Sequence, residues 1–507
     1  MIDWQSPKIR NGSQLLALFI LGAILAGAAE LPIGGWIQIP ILSLIWWQLK
    51  KLNHLPLKNS FTAGIFFGLG YFVLGLWWIY ISLHDIGGIH WTLSAIAVFL
   101  LATCLAIYFS VASLSIRIFK PTYLSGLLLA ASWVLMEYLR GLLFTGFPWM
   151  GLAEAQFNGP FAPVAPLLGG LACTFLTVWI SWEILQTRKH FFFSAIGILG
   201  VVILSQAASL FTFTKPIGEP LSIRLIQGNY EQSLKFNPQA VSEQIIFYAA
   251  TIQSTPADLI VIPETAFPWP QGRLPSGLLD SLQHFSNVSS SNLLLGVIGE
   301  ISGSKGLQYS NRALGLSPNS HLYQYDKSHL VPFGEFVPLG FHWFVKTFGV
   351  PLNNFARGAQ DQPLFAIKKF GQDPIYAATT ICYEDVFGGE LASRLRNSAE
   401  PANLLVNMTN LAWFGASQAP SQQLRLSQLR SLETGLPALR ATNTGITAVL
   451  GSNGKVLAQL PEFTQGVLST KIQAYSGKTP YVIWGNTPIL SISCLLLILG
   501  FIRQKRF

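Results

Sequence analysis

Titratable residues mark three apparent strand ends in the second half of the chain. Glu264 follows the apolar run 259–262, Lys327 opens a loop rich in proline and glycine, and Cys382 follows the run 377–381. A carboxylate where a buried strand emerges is partly desolvated, which suits it to general-base catalysis. A base, a cation and a thiol are the groups that acyl transfer through a thioester requires. The three residues are far apart in sequence, so their spacing leaves open whether they meet.

Cys382 is the one cysteine of four that lies outside the predicted membrane spans. Cys104, Cys173 and Cys494 fall in apolar stretches, where cysteine behaves as a small apolar residue. Cys382 therefore has no disulfide partner in its own region, and it is either buried and inert or used for chemistry. Its place at the end of an apolar run favours chemistry.

Strand-like and helix-like segments alternate around these residues. The predicted strands are 221–229, 257–265, 292–300, 375–385, 403–410 and 445–454. The predicted helices are 242–253 and 419–439. This alternation, with apolar runs in the strands, predicts layered α/β packing.

Charge divides the chain into unlike regions. Of the 507 residues, 51% are hydrophobic and only 11% are charged, whereas about 25% charged residues are usual in soluble domains. Residues 1–212 carry 16 charged side chains and residues 213–480 carry 36. We predict a seven-span membrane domain over 1–212, a catalytic domain over 213–480, and a membrane helix with a basic tail over 481–507. The composition excludes a disordered chain, a coiled coil, a collagen-like chain and a nucleic-acid-binding tail.

Eight apolar stretches are long enough to be membrane helices. They are about 14–30, 35–50, 61–82, 90–116, 122–140, 162–184, 191–211 and 483–502. The first two are short and closely spaced, which leaves open that one is a re-entrant or buried helix.

The basic residues of the short loops predict the orientation of these spans. With eight spans, five basic clusters fall on one side of the membrane, which is then the cytoplasmic side. Both termini are therefore expected in the cytoplasm and the catalytic domain in the periplasm. Arg140 is the exception at the outer end of the fifth span. It contacts a phospholipid phosphate, pairs with Glu137, or extends to the interface.

The motifs around the three titratable residues resemble the Glu-Lys-Cys triad of the nitrilase superfamily. They read IPETAFP around Glu264, DKSHLVPFGEFVP around Lys327 and ICYED around Cys382. Joined to membrane spans, this domain resembles the apolipoprotein N-acyltransferase family of bacterial inner membranes. Further matching segments are GFPWMGLAEAQ, QGNYEQSLKFNP, LAWFGASQAPSQQ and LRATNTGITAV. The resemblance implies an α+β membrane protein, with an eight-helix bundle and a nitrilase-like α-β-β-α sandwich.

The resemblance also implies a two-step reaction. Glu264 would act as general base, Cys382 as nucleophile on a phospholipid ester, typically of phosphatidylethanolamine, and Lys327 as oxyanion stabiliser. The acyl group would then pass from the thioester to the α-amine of the S-diacylglyceryl-cysteine at the N-terminus of an apolipoprotein. This chemistry requires no metal or cofactor, and we expect a monomer of the inner membrane.

Further roles follow from the same resemblance. Glu335 would support Lys327 or the base. Tyr383 and Glu384 flank the nucleophile and either support it or serve packing. Trp413 and Phe414 either line the lipid pocket or belong to the core.

The chain departs from the family pattern at two positions. Phe236 stands where the family often has Trp, which puts lid packing in doubt, and it is a candidate contact of the substrate. Leu411 follows Asn410 where the family often has Asp, which puts a polar contact in doubt. The aromatic segment 341–352 is either a mobile lid at the lipid interface or an ordinary packed loop.

Other functions remain open from the residues alone. A membrane-anchored nitrilase-type amidase or amide synthase would keep the same three residues but needs only one span. A transporter with an accessory domain would need paired charges within the membrane or internal repeats. A catalytically inactive scaffold would not need the triad.

Overall fold

The structure is a computed structural model that divides into two compact units. It describes residues 7–52, 56–119, 124–233, 237–303, 306–338, 340 and 355–505. The helical unit comprises Met1–His84, Ile89–Thr212 and Trp484–Phe507. The sandwich unit comprises Asp85–Gly88 and Phe213–Ile483.

Long apolar helices form the helical unit. They are α1 (Pro7–Ala29), α2 (Gly34–Lys51), α3 (Leu57–Leu76), α4 (Trp91–Ser113), α5 (Ser125–Arg140), α6 (Gly170–Ala207) and, at the end of the chain, α11 (Thr487–Lys505). Shorter helical segments are Ile79–Ile81, Ser82–Ile86, Ser115–Ile118, Leu143–Thr145, Leu152–Asn158, Ala162–Val164, Ala165–Leu168 and Ala208–Leu210. Within the described residues, four helical stretches have the length and hydropathy of a membrane span: Gly12–Ala29, Leu57–Leu76, Trp91–Ile118 and Thr487–Gln504.

An aromatic cluster joins four of these helices. Trp46 of α2 and Phe109 of α4 lie with ring centroids 5.4 Å and 4.3 Å from Trp133 of α5. Phe67 of α3 stacks on Phe109 at 5.5 Å. All four side chains are buried. Large rings in such contact contribute packing energy beyond the area that they bury.

One part of the predicted span pattern needs correction. The sequence predicts two spans, 162–184 and 191–211, but the structure has the single 38-residue helix α6. The residues between the two predicted spans include no glycine or proline, so nothing there ends a helix. At 1.5 Å per residue such a helix is about 57 Å long, nearly twice the thickness of a bilayer core. The count of eight separate helices is therefore not confirmed.

Two β-sheets form the centre of the sandwich unit, the first with seven strands and the second with six. The first has the order β13-β1-β2-β4-β5-β6, with β3 beside β4, and the second has the order β12-β11-β10-β9-β8-β7. The first-sheet strands are β1 (Thr214–Gln227), β2 (Leu259–Val261), β3 (Phe267–Pro270), β4 (Asn292–Gly303), β5 (Gly306–Leu316), β6 (Tyr323–Asp326) and β13 (Gly466–Gly477). The second-sheet strands are β7 (Phe365–Ile367), β8 (Ile375–Ile381), β9 (Leu404–Thr409), β10 (Ala438–Thr442), β11 (Ala448–Leu450) and β12 (Val456–Gln459).

Helices cover the outer faces of both sheets. They are α7 (Pro238–Ser254), α8 (Leu278–Ser289), α9 (Gly388–Asn397) and α10 (Ala419–Thr434). Val261 of the first sheet and Val406 of the second lie in one fully buried core between the sheets. Separate cores lie beneath α7, around Ile245, and beneath α9, around Leu391. The layered α/β packing predicted from the sequence is confirmed.

Parallel pairing in each sheet decides where the chemistry lies. β1, β2 and β4 are parallel neighbours in the first sheet, and β8, β9 and β10 are parallel neighbours in the second. Side chains that follow parallel strands gather at one edge of a sheet, where open α/β sheets commonly bind ligands. Glu264 follows β2 of the first sheet, and Cys382 follows β8 of the second. Each therefore lies at the carboxyl end of the parallel strands of its own sheet.

The predicted helix 419–439 extends too far. The helix α10 ends at Thr434, and Gly435 has a φ of 67°, the left-handed conformation that closes many helices. The strand β10 begins at Ala438, within the predicted helix.

Candidate active site

Glu264 lies in the turn between β2 and β3, where three donors fix its carboxylate. Its Oε1 accepts a hydrogen bond from Nδ2 of Asn311, at 2.6 Å, and lies 3.4 Å from Nζ of Lys327. Its Oε2 accepts from the backbone N–H of Asn410 at 2.8 Å. The side chain is buried, so these contacts replace the water that a carboxylate would otherwise bind.

Lys327 follows β6 and lies between two carboxylates. Its Nζ is 3.0 Å from Oε1 of Glu335 and is almost completely buried. Burial acts to lower the pKa of Lys327, but the nearby carboxylates of Glu335 and Glu264 raise it, and the pKa lies above its usual value. Lys327 is therefore a permanent cation in the site.

Glu335 is held from two further directions. Its Oε1 accepts from Nδ2 of Asn311 at 3.0 Å, and its Oε2 accepts from the backbone N–H of Val331 at 2.8 Å. Asn311 thus donates to both carboxylates of the site. One amide and one lysine therefore bridge Glu264 and Glu335.

Cys382 begins the 3-10 turn Cys382–Val386, directly after β8. Its φ is 52°, a left-handed conformation that few residues with a Cβ adopt. The thiol makes a side-chain hydrogen bond with Glu264. Burial raises the pKa of the thiol above its usual value, Glu264 raises it further, and Lys327 lowers it. A thiol whose pKa is raised would need a base before it could attack a substrate, and Glu264 is in contact with it.

Glu384 connects the Cys382–Val386 turn to the loop that carries Lys327. Its Oε1 accepts hydrogen bonds from the Tyr325 hydroxyl at 2.8 Å, from Ser328 N and Oγ at 2.7 Å each, and from His329 N at 3.2 Å. Its Oε2 accepts from the backbone N–H of Ile381 at 2.6 Å. The carboxylate therefore ties the second sheet to the first beside the triad.

Tyr383 is buried. Its ring lies 5.1 Å from the ring of Phe387 and 5.8 Å from that of His329, edge-on in both cases. His329 also stacks on Phe387 at 3.6 Å and contacts Glu390 at 3.0 Å. These ring contacts pack Tyr383 against His329 and Phe387 beside Glu384.

The two candidate aromatic residues lie in the 3-10 turn Ala412–Phe414, which begins two residues after Asn410, the residue whose N–H holds Glu264. Trp413 is 38% exposed and Phe414 is half-buried. Leu411, the departure from the family pattern, is buried. Phe236 and the segment 341–352 lie outside the described residues.

Arg140 belongs to the helical unit and is only 1% exposed. Its guanidinium donates to the carbonyl oxygens of Phe147, Pro148 and Trp149. The expectation that it extends to the interface is wrong, because the loop that follows α5 folds back over it. A phospholipid phosphate would need an exposed guanidinium, so the structure does not support that contact either.

Asn311, Gln423 and Arg440 are site residues that the sequence did not single out. Asn311 lies inside β5, Gln423 inside α10 and Arg440 inside β10, and each is buried. A polar residue in an otherwise apolar strand or on the covered face of a helix is the signal that could have found them. Within the described residues, no group of three or more His, Cys, Asp or Glu side chains could hold a metal ion.

Comparison with known proteins assigns both parts of the chain. Residues 22–182 match the apolipoprotein N-acyltransferase N-terminal domain, and residues 222–481 match the carbon-nitrogen hydrolase domain. An apolipoprotein N-acyltransferase of Ralstonia nicotianae is 38% identical, over 98% of this chain and 95% of that protein. One of Nitrosomonas europaea is 36% identical, over 96% of this chain and 97% of that protein.

Among solved structures, a carbon-nitrogen hydrolase superfamily protein of Xanthomonas campestris aligns with a TM-score of 0.37. It is 16% identical, and the alignment covers 54% of this chain and 97% of that protein. The family assignment rests on the full-length relatives and on the two domain matches. These relatives and domain matches show that this chain belongs to the apolipoprotein N-acyltransferase family.

Proposed function

We propose that this protein transfers a fatty acyl chain from a phospholipid to the N-terminal S-diacylglyceryl-cysteine of apolipoproteins, through a thioester on Cys382. The observation that carries the proposal is the contact of the Cys382 thiol with Glu264, beside the Lys327 cation. Relatives of nearly full length carry the name of this activity.

The first half-reaction starts from the neutral thiol. Glu264 takes the thiol proton while the sulfur of Cys382 bonds to the ester carbonyl carbon of the phospholipid. The carbonyl oxygen becomes an oxyanion, which the Lys327 cation stabilises. When the carbon–oxygen bond of the ester breaks, the lysophospholipid alkoxide leaves with the proton from Glu264. The acyl group remains on Cys382 as a thioester.

In the second half-reaction the sulfur of Cys382, which was the nucleophile, becomes the leaving group. The α-amine of the diacylglyceryl-cysteine attacks the thioester carbonyl, and Lys327 again stabilises the oxyanion. Glu264 accepts the amine proton, and the sulfur leaves and recovers a proton from Glu264. The products are an amide and the free thiol, so each turnover returns the site to its starting state.

The two units divide the work in this proposal. The apolar helices of residues 1–212 and 481–507 hold the enzyme in the inner membrane, where both lipid substrates reside, with both termini in the cytoplasm. The domain 213–480 carries out the chemistry on the periplasmic side. Phosphatidylethanolamine is the proposed donor, and the protein acts as a monomer. In this proposal Trp413 contacts an acyl chain, and its 38% exposure close to the buried Asn410 supports that role.

An assay with both lipid substrates tests the proposal. The purified protein in detergent would receive phosphatidylethanolamine and a synthetic peptide with an N-terminal S-diacylglyceryl-cysteine. We expect the peptide to gain the mass of one acyl chain, and lysophospholipid to appear in equal amount. Cys382→Ala should abolish both products. Release of free fatty acid without a peptide product would indicate a hydrolase and contradict the proposal.

Surface labelling tests the proposed orientation. Phe370 is 98% exposed in the sandwich unit, so a Phe370→Cys variant offers an accessible thiol. A membrane-impermeant maleimide should label this variant in cells whose outer membrane is permeabilised, and should not label the parent chain to the same extent. Labelling only after the inner membrane is also opened would place the domain in the cytoplasm.

A further inference from the structure

The backbone of Cys382 needs support that the triad does not give. With a φ of 52°, it is in a conformation that is unfavourable for a residue with a Cβ. Such a residue keeps this conformation only where its surroundings fix it. Glu264 bonds to the thiol and Lys327 acts on the thiol electrostatically, so neither residue holds the backbone of Cys382.

Two buried amides hold the carbonyl group of Cys382. Nε2 of Gln423, on α10, donates to this oxygen at 2.9 Å. Nδ2 of Asn407, on β9, donates to it at 3.3 Å. Gln423 is fully buried and Asn407 is 4% exposed, so water does not compete for these bonds.

A buried arginine fixes the direction of both amides. Nη2 of Arg440, on β10, donates to Oε1 of Gln423 at 2.7 Å, and its Nη1 lies 3.5 Å from Oδ1 of Asn407. Because a guanidinium only donates, it takes the oxygen end of each amide. The NH₂ ends must then face the carbonyl of Cys382.

Arg440 is itself held in place by the turn that it supports. It is completely buried, its Nη1 donates to Oγ of Ser427 at 2.8 Å, and it lies 3.6 Å from Asp385, in the Cys382–Val386 turn. A buried cation of this kind is costly, and replacing a buried ion pair by apolar residues is often neutral or stabilising. Because Arg440 bonds to the two amides that donate to the Cys382 carbonyl, its position points to a role in the geometry of the site.

We propose that Arg440, Gln423 and Asn407 form a carbonyl clamp that holds the Cys382 backbone in its left-handed conformation and so aims the thiol at the ester carbonyl. These are positioning residues, since they act through Cys382. The inference rests on the proposed function, because the clamp serves thioester formation.

A Gln423→Glu substitution isolates the contact with Cys382. A carboxylate keeps the pairing with Arg440 but has no N–H for the Cys382 carbonyl. Single-turnover formation of the acyl adduct should slow about tenfold to a hundredfold, since small misplacements of reacting groups have effects of this size. The KM for phospholipid should not change. Gln423→Leu should slow the reaction at least as much.

Gln428 provides the matched control. It lies on the same helix, is buried, and donates to the carbonyl of Gly454 at 2.9 Å, away from the site. Gln428→Leu should leave the rate of adduct formation within twofold of the parent. If Gln428→Leu and Gln423→Leu slowed adduct formation equally, the effect would be one of general packing and the clamp would be overturned. A Gln423→Glu protein that forms the adduct at the parent rate would also overturn the clamp.

The parent chain separates the two proposals. If the parent forms no acyl adduct, the proposed function fails and the clamp has no reaction to serve. If the parent forms the adduct and Gln423→Glu forms it equally fast, only the clamp fails. Unfolding midpoints of all variants show whether a slow variant is folded.

Discussion

The two sheets of the sandwich unit contribute to the site in different ways. The first sheet supplies charged groups, Glu264 and Lys327, whose positions depend on ion pairs and on the Asn311 amide. The second sheet supplies the neutral thiol of Cys382, whose position depends on neutral amides bonded to its backbone. In the proposed reaction, groups of the first sheet would control proton transfer, and groups of the second would control the geometry of the thiol. Changes in the first should alter pH dependence, and changes in the second should alter rate alone.

Glu264→Gln should have the largest effect. Loss of the base should lower turnover by about a hundredfold to ten-thousandfold, the range typical of general-base catalysis. The carboxylate raises the pKa of the Cys382 thiol, so its removal should lower that pKa. The pH profile of thiol alkylation by iodoacetamide should then move to lower pH, although turnover falls.

Lys327→Met should shift the pKa of the Cys382 thiol in the direction opposite to that of Glu264→Gln. Lys327 lowers the thiol pKa, so its loss should move the alkylation profile to higher pH. If the two variants moved the profile in the same direction, the first sheet would not control the proton of Cys382 in the way described.

Glu384→Gln tests the tie between the sheets and should have the next largest effect. The amide cannot accept every hydrogen bond that the carboxylate accepts, so the loop of Ser328 and the turn of Cys382 should separate. We expect turnover to fall about tenfold to a hundredfold, as for other misplaced groups. Tyr325→Phe removes one hydrogen-bond donor to the same carboxylate and should lower turnover less than Glu384→Gln does. An equal or larger loss in Tyr325→Phe would contradict this role of Glu384.

Asn311→Leu should have a moderate effect on turnover. The amide donates to Glu264 and Glu335, and its loss leaves two carboxylates that share one lysine. Without this donor the Glu264 carboxylate is less firmly placed against the Cys382 thiol. We expect single-turnover formation of the acyl adduct to slow about tenfold, as for a small misplacement of a reacting group. Adduct formation by Asn311→Leu at the parent rate would contradict this role of the amide.

Gly445→Ala should have the smallest effect on chemistry and a measurable one on stability. A Cβ at this position would lie 2.8 Å from Cδ1 of Leu411, which is buried. Overpacking of this kind costs about 1–3 kcal/mol of unfolding free energy. Thermal unfolding of the double variant Leu411→Ala, Gly445→Ala should show a smaller penalty than the two single changes added together. Simple additivity would mean that the two positions do not contact each other.

Local patterns in the sequence predict the layered α/β packing of the sandwich unit. Apolar runs such as 259–262 and 377–381 marked the buried strands, because strands covered on both faces are apolar throughout. The end of α10 was missed although Gly435 marks it. The continuity of α6 was missed because Arg188 and Lys189 suggested a loop, whereas the backbone has no residue there that ends a helix.

The sequence indicates the site residues that follow strands but not those that lie inside strands, and the reason is physical. Glu264, Lys327 and Cys382 follow strands, so their positions in sequence indicate an edge of a sheet. Asn311 and Arg440 lie inside strands, and only the pairing of the strands reveals which buried groups they face. The burial of Arg140 depends on a loop that folds back over it, and charge patterning along the chain does not report such a fold.

The most direct test of the account is the mass of the protein itself. Purified protein incubated with phosphatidylethanolamine, without any acceptor, should gain the mass of one acyl chain. Peptide mapping should locate it on Cys382 as a thioester that hydroxylamine removes. Glu264→Gln should gain it slowly and Cys382→Ala not at all. An adduct at another residue, or turnover by the Cys382→Ala protein, would contradict the central claim.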